Sequence, residues 1–254
     1  MQIDQVQIKS NIMYKLAQEE FISDITKNGY HSFGSNWWFN ENCPFAFKYL
    51  NLDSLYIPEY FNNTNTGHPN QQQALELYSY MQQIYTEVTG HGFNSILELG
   101  AGGGELTVQF QHNALNFLTV EGTEAGYQRL ITRGVQQNKI SKQNLKFFIN
   151  LNRKFDLVMC TEVIEHIEPF FASKIISNCI EHSDFVWFSA ADKNRGPHYH
   201  HINEQDIQVW DDLFAHMGFP WAIHLNNMQS RAARLYISEA TGNELKANAL
   251  ASTE

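Results

Sequence analysis

The 254-residue sequence lacks any apolar run near the ~18 residues a membrane-spanning helix needs, so it reads as a chain that stays out of the bilayer. Cysteine is scarce. Cys43, Cys160 and Cys179 are odd in number, scattered and without a C-x-x-C pair, which fits reduced thiols in a cytoplasmic protein rather than a disulfide framework. Met1-Gln2-Ile3-Asp4-Gln5 offers neither a basic nor an apolar leader region, and the expected location is again cytoplasmic. Positive charge is scarce too. Seventeen Lys and Arg against 27 Asp and Glu give a net charge of −10, with no basic cluster, and nucleic-acid binders usually carry a basic surface. Apolar residues, by contrast, are plentiful at 43%, with 13% aromatic, enough to bury a full core.

The chain is organised around Ser95-Ile96-Leu97-Glu98-Leu99-Gly100-Ala101-Gly102-Gly103-Gly104-Glu105-Leu106. Ile96 to Leu99 reads as a buried parallel strand. Glycines follow, then a helical pattern through Leu106, Val108 and Phe110. A tight bend with a ligand lying against the backbone needs residues without a Cβ, and the helix that opens next presents unpaired N–H groups. A dinucleotide fingerprint would place a small residue at position 105, where Glu105 stands instead and sets a negative charge near any pyrophosphate. The spacing Gly100-x-Gly102-x-Gly104, with Glu98 just before it, suits a ligand bearing an ammonium and a sulfonium. Phe117 to Glu121 reads as a second strand ending in an acid, which can accept both ribose hydroxyls of an adenosine.

On these residues, and on the features below, the sequence resembles the class I S-adenosylmethionine (SAM)-dependent methyltransferases over roughly residues 90 to 240. The resemblance implies a Rossmann-like α/β fold, a doubly wound, mostly parallel seven-stranded sheet with a C-terminal antiparallel hairpin. It further implies that Glu98, Gly100, Ala101, Gly102 and Gly104 shape the methionine end of a SAM site, and that Glu121 binds the ribose. The family commonly places an acid after the third strand to bind adenine. Leu145 to Ile149 reads as that strand here, and Asn150 stands in the acid's place.

Residues 1–89 are expected to form an N-terminal helical and aromatic cover, 90–240 the SAM-binding domain and 241–254 a C-terminal tail. Within the cover, residues 1 to about 30 carry a helical pattern. An irregular, aromatic-dense stretch follows, with Trp37, Trp38, Phe39, Tyr56 and Tyr60 among its rings. It reads as packed covering or as a lid that excludes water from a pocket. Gln71 to Thr89 reads as an amphipathic helix, Thr123 as the N-cap of another, and Asn203 with Asp206 as an N-cap pair.

Ligands in such folds sit beyond the carboxyl ends of the strands. Glu162, Glu165 and His166 follow the fourth strand (Phe155 to Cys160), and His198, His200 and His201 follow the fifth (Phe185 to Ser189). Glu162 is expected beside the cofactor, with Glu165, His166 and His201 as catalytic candidates. Methyl transfer from a sulfonium needs alignment and a deprotonated acceptor, and a histidine is a natural base. Glu162-x-x-Glu165-His166-Ile167 resembles the corresponding segment of small-molecule methyltransferases, including the ubiquinone-biosynthesis type. The same residues with His201 also resemble the Glu, Glu, His, His metal set of small-RNA 3′-end 2′-O-methyltransferases, although the basic segment of those enzymes is absent. The expected function is methyl transfer to an oxygen or nitrogen of a small polar acceptor. The alternatives are a metal-dependent RNA-end methyltransferase and a SAM-binding scaffold without activity.

Overall fold

The computed structural model describes residues 31–33, 37–40 and 43–48 as backbone, and 56, 69–192, 201–225 and 232–251 in full apart from the side chain at 232. The helical pattern before residue 31, together with His198 and His200, lies outside them. Strands β1 (His31–Phe33), β2 (Trp37–Asn40) and β3 (Cys43–Lys48) form an antiparallel sheet in the order β1-β2-β3. The sequence suggests irregular structure here, yet dense aromatic residues favour a pleated backbone, and here that preference prevails.

Helix α1 (Gln71–Thr89) opens on a capping box, Asn70 accepting from Gln73 N–H, and closes at Gly90 with φ 80°. Strand β4 (Ser95–Leu99), helix α2 (Glu105–His112), strand β5 (Asn116–Glu121) and helix α3 (Glu124–Thr132) follow, with Thr123 capping α3. Then come β6 (Ile140–Lys142), β7 (Leu157–Thr161), α4 (Ala172–Ile180), β8 (Phe185–Ala190), α5 (Ile207–His216), β9 (Trp221–His224), β10 (Ala232–Ile237) and α6 (Glu239–Ala251).

The seven strands of the main sheet run β6-β5-β4-β7-β8-β10-β9. β4 to β8 are parallel, and β10 pairs antiparallel with both β8 and β9. This is the doubly wound sheet and closing hairpin that the sequence suggests. Ile96, Phe117, Met159 and Trp187 pack with residues of α1, α2 and α3 on one face, including Met81, Tyr85, Phe110 and Leu130. Leu97, Val120, Val158 and Phe188 pack with Ile175, Cys179, Trp210 and Phe214 of α4 and α5 on the other. Covering both faces explains why β7 and β8 read as unbroken apolar runs.

Three boundaries differ from the sequence reading. The third parallel strand is Ile140–Lys142, not Leu145–Ile149. Leu145 and Ile149 are buried, but in a loop, where Asn178 bonds the backbone of residues 145, 147 and 149. Asn203 does not cap α5, which begins at Ile207 after Asp206. Its amide instead donates to Ile164 C=O at 3.2 Å. Residues 239–251 form a helix where a tail is expected, and Gly242 lies against Trp221 of β9, where a Cβ would collide with the indole.

Candidate active site

Two groups of side chains meet the carboxyl ends of the parallel strands. The first surrounds the glycine loop. Gly100 N–H bonds Val120 C=O at 2.8 Å, carrying the β4–β5 pairing one residue further before the chain turns away. Gly100 has φ 83°, and an added Cβ would lie 2.5 Å from Val163 Cγ2, so the loop after β7 packs directly on it. Gly104, φ 78°, leads into α2, and a Cβ there would lie 2.7 Å from Leu130 Cδ2 of α3. Glu105, in the first turn of α2, pairs with Arg133 and folds its carboxylate against Gly103. A carboxylate over the loop disfavours a pyrophosphate there.

Glu121 ends β5 beneath this loop and is buried. Its Oε1 accepts from Thr123 N–H at 2.8 Å and Thr123 Oγ1 at 2.7 Å, and its Oε2 from Ala101 N–H at 3.2 Å. Burial raises its pKa, opposed by these bonds and by one from Gly102 N–H. The carboxylate is thus held at the loop backbone. Glu98 is fully enclosed, its Oε2 accepting from Thr107 Oγ1 of α2 at 2.5 Å and Thr119 Oγ1 of β5 at 2.8 Å. Desolvation pushes its pKa up to about 7. The structure therefore places Glu98 under the loop, linking β4, β5 and α2.

Asn150 is a correction. It follows the loop misread as a strand, and the chain has by then returned to the start of β7. Leu151 N–H bonds His182 Nε2, and Phe155 N–H bonds His182 C=O, just before β8 begins. Asn150 is exposed at this amino edge, opposite the glycine loop. The residues that do follow the third strand are Gln143 and Asn144. Gln143 N–H bonds Glu121 C=O at 3.1 Å, and both residues back onto Gly122. The signal for them was the acid-bearing β5 alone, because β6 is too short and polar to stand out.

The second group follows β7 and β8. Glu162 has φ 52°, a conformation uncommon for a long side chain. Ser189 of β8 holds it twice: its C=O accepts Glu162 N–H at 3.0 Å, and its Oγ donates to Glu162 Oε1 at 2.8 Å. Glu165 is wholly buried. Its Oε1 accepts Ala191 N–H at 3.3 Å, its C=O accepts the N–H groups of Ile202 and Asn203, and its Oε2 has no hydrogen-bond partner among the described residues. Desolvation first, then the nearby Glu162 charge, raise its pKa well above the carboxylate range.

The bonds from residues 202 and 203 bring His201 to His166, with ring centroids 4.9 Å apart and planes at 76°. Tyr56 meets the His166 ring edge-on at 5.8 Å. Glu165, His166 and His201 each offer a ligand atom within 4.8 Å of the others. Glu162 stands outside that group. Sequence reasoning passed over Glu204, whose Oε1 lies 2.5 Å from His201 Nδ1.

No protein-family model matches the chain, and no curated protein matches it. Solved structures do. The sugar N-methyltransferase KedS8 from Streptoalloteichus sp ATCC 53650 superposes with a TM-score of 0.57 at 12% identity, over 72% of this chain and 92% of that one. The plantazolicin methyltransferase BpumL, solved with a triazolic desmethylPZN analog and SAH (S-adenosylhomocysteine), gives a TM-score of 0.51 at 12% identity, over 66% and 70%. The chain therefore has the Rossmann-like methyltransferase fold, with parallel strands and a C-terminal antiparallel pair.

Proposed function

We propose that the protein is a SAM-dependent methyltransferase acting on an oxygen or nitrogen of a small polar molecule. The observation that carries this is the convergence of two groups at one edge of one sheet: the Gly100–Gly104 cradle with Glu121, and the Glu165–His166–His201 group. Val163 packing on Gly100 places these groups side by side. A Cβ at Gly100 or Gly104 would collide with Val163 Cγ2 or Leu130 Cδ2, so glycine lets this loop make the tight turn, against its neighbours, along which the cofactor would lie. In this reading the ribose hydroxyls donate to the Glu121 carboxylate in exchange for bonds it accepts from the loop amides.

In this reading the loop from Gly100 to Gly104 shapes the methionine end. Glu121 binds the ribose, and Gln143 and Asn144 border the adenine. When bound, SAM supplies an electrophilic methyl group on a positively charged sulfur. The chain's own part is to align the acceptor and remove its proton, with His201 or His166 as base. Glu162 fixes a carboxylate at the mouth, which favours an acceptor amine; the histidines suit a hydroxyl equally. Support for a small acceptor comes from KedS8, a sugar N-methyltransferase, and from the net charge of −10, which disfavours RNA.

The test is mass-spectrometric detection of methyl transfer from SAM to a panel of amino sugars, sugars and small hydroxylated amines. Turnover with a panel member, lost in His201→Ala or His166→Ala, supports the reading. SAH binding with turnover on RNA 3′ ends alone would overturn it.

A second reading rests on one observation, the clustering within 4.8 Å of two imidazoles and a buried carboxylate whose Oε2 has no hydrogen-bond partner among the described residues. Such a set suits a divalent cation with open positions. Stoichiometric Mn²⁺ binding, abolished in Glu165→Gln, would favour it. Turnover unchanged by EDTA would exclude a metal role in the reaction.

A further inference from the structure

The base of the proposed reaction must hold its lone pair on a chosen ring nitrogen. An imidazole has two nitrogens, and the hydrogen bond at one decides which tautomer forms. His201 Nδ1 lies 2.5 Å from Glu204 Oε1, with the two side chains only 11% and 17% exposed. A carboxylate accepts and has no proton to give, so the imidazole carries its hydrogen on Nδ1. The neutral ring is then left with its lone pair on Nε2.

The surrounding backbone holds this pair in place. Between the two residues, Ile202 and Asn203 donate their N–H groups to Glu165 C=O at 2.8 and 3.1 Å. Asn203 is buried, and its side chain donates to Ile164 C=O and accepts from Gln205 Nε2 at 3.1 Å. Positions 201 and 204 therefore flank a segment pinned to the loop after β7, and the carboxylate meets the ring with little freedom to leave. In a sheltered site this hydrogen bond is stronger than it would be in water.

We propose that Glu204 is a positioning residue: it fixes His201 as the Nδ1–H tautomer and so presents Nε2 as the acceptor of the substrate's proton. This deepens the methyltransferase reading and rests on it for the reaction, though not for the tautomer. In the transfer, the acceptor's N–H or O–H proton passes to His201 Nε2. The new bond joins the acceptor to the methyl carbon, while the carbon–sulfur bond breaks and leaves its electron pair on sulfur. The imidazolium that forms is stabilised by the Glu204 carboxylate at Nδ1.

The experiment is two-bond ¹H–¹⁵N correlation on ¹⁵N-histidine-labelled protein at mildly alkaline pH, with His201 assigned by the signals missing in His201→Gln. The wild-type spectrum tests the proposal without relying on a variant: a proton on Nδ1 with a bare Nε2 is expected. In Glu204→Ala the proton is expected to move to Nε2, the form free imidazole favours. With an acceptor found in the panel, kcat should fall about ten- to a hundredfold, the scale for losing the partner that orients a functional imidazole. KM and SAH affinity should not change, and adding Glu204→Ala to His201→Gln should slow it no further. A wild-type proton on Nε2 would overturn the proposal, as would a Glu204→Ala protein with an unchanged tautomer. Absence of SAH binding would sink the methyltransferase reading alone, because the tautomer is measured equally well on the free protein.

Discussion

Glu98→Gln should make the protein more stable at alkaline pH and leave it nearly unchanged in acid. Glu98 is 1% exposed, and the hydroxyls of Thr107 and Thr119 both donate to the same oxygen, Oε2. A glutamine can put its amide oxygen there and keep both bonds. Desolvation raises the folded-state pKa from 4.5 to about 7. A carboxyl group raised on folding binds more protons in the native state. Its stabilisation is complete below the unfolded pKa and is lost as pH rises through the folded one. At about 1.36 kcal/mol per pH unit, the interval corresponds to roughly 3 kcal/mol, an order-of-magnitude figure. Glutamine carries no such loss. Urea or thermal unfolding of the ligand-free protein near pH 4 and near pH 8 would show it. Relative to its own offset in acid, Glu98→Gln should gain about 3 kcal/mol at pH 8, or roughly 6–12 °C in Tm for a chain of this size. Any pH-independent cost of the amide cancels in that comparison, as do the raised groups Glu121 and Glu165, which both proteins share. An identical pH dependence in wild type and variant would refute the reasoning.

Three further outcomes follow from the same geometry. Gly100→Ala should cost about 1–2 kcal/mol from positive φ alone and weaken SAH binding, because the new methyl meets Val163 Cγ2. Val163→Ala in the same chain should recover the steric part and not the backbone part, as read by urea unfolding and calorimetry. Lys146→Met should destabilise by about 3–5 kcal/mol in urea unfolding, since Lys146 Nζ lies 2.7 Å from Glu168 Oε2 and the variant strands a carboxylate that is 0% exposed. Adding Glu168→Leu to Lys146→Met should restore much of that loss, and no restoration would contradict the buried-pair account. Ser189→Ala should leave SAH affinity unchanged while raising KM for the acceptor, because it removes the hydroxyl that orients the Glu162 carboxylate; an unchanged KM would count against Glu162 at the mouth.

The glycine loop and the acid of β5 were legible because each is dictated locally. Only residues without a Cβ fit against Val163 and Leu130, and an acid at a strand end is visible as a letter. Strand β6 was not legible. Ile140-Ser141-Lys142 sits at the sheet edge, where short polar strands are favoured, whereas Leu145 and Ile149 are apolar for a different reason: they bury under α4 in a loop. That one error carried Asn150 to the wrong end of the sheet. Helix α6 hid in the same way, since among its described residues only Gly242 is buried and no apolar stripe announces it. The meeting of His166 and His201 was expected from topology. The hydrogen bond from His201 to Glu204 was not, because a residue three places on declares its partner only when the backbone between them is pinned.

The central claim is that the Gly100–Gly104 loop and Glu121 form a SAM site. Calorimetric titration of the wild type and Glu121→Ala with S-adenosylhomocysteine tests it most directly. The account predicts one site per chain in the wild type. Affinity should fall about ten- to a hundredfold in the variant, the scale of losing hydrogen bonds to a charged group. A wild type that gives no binding, or a Glu121→Ala protein that binds as tightly, would contradict it.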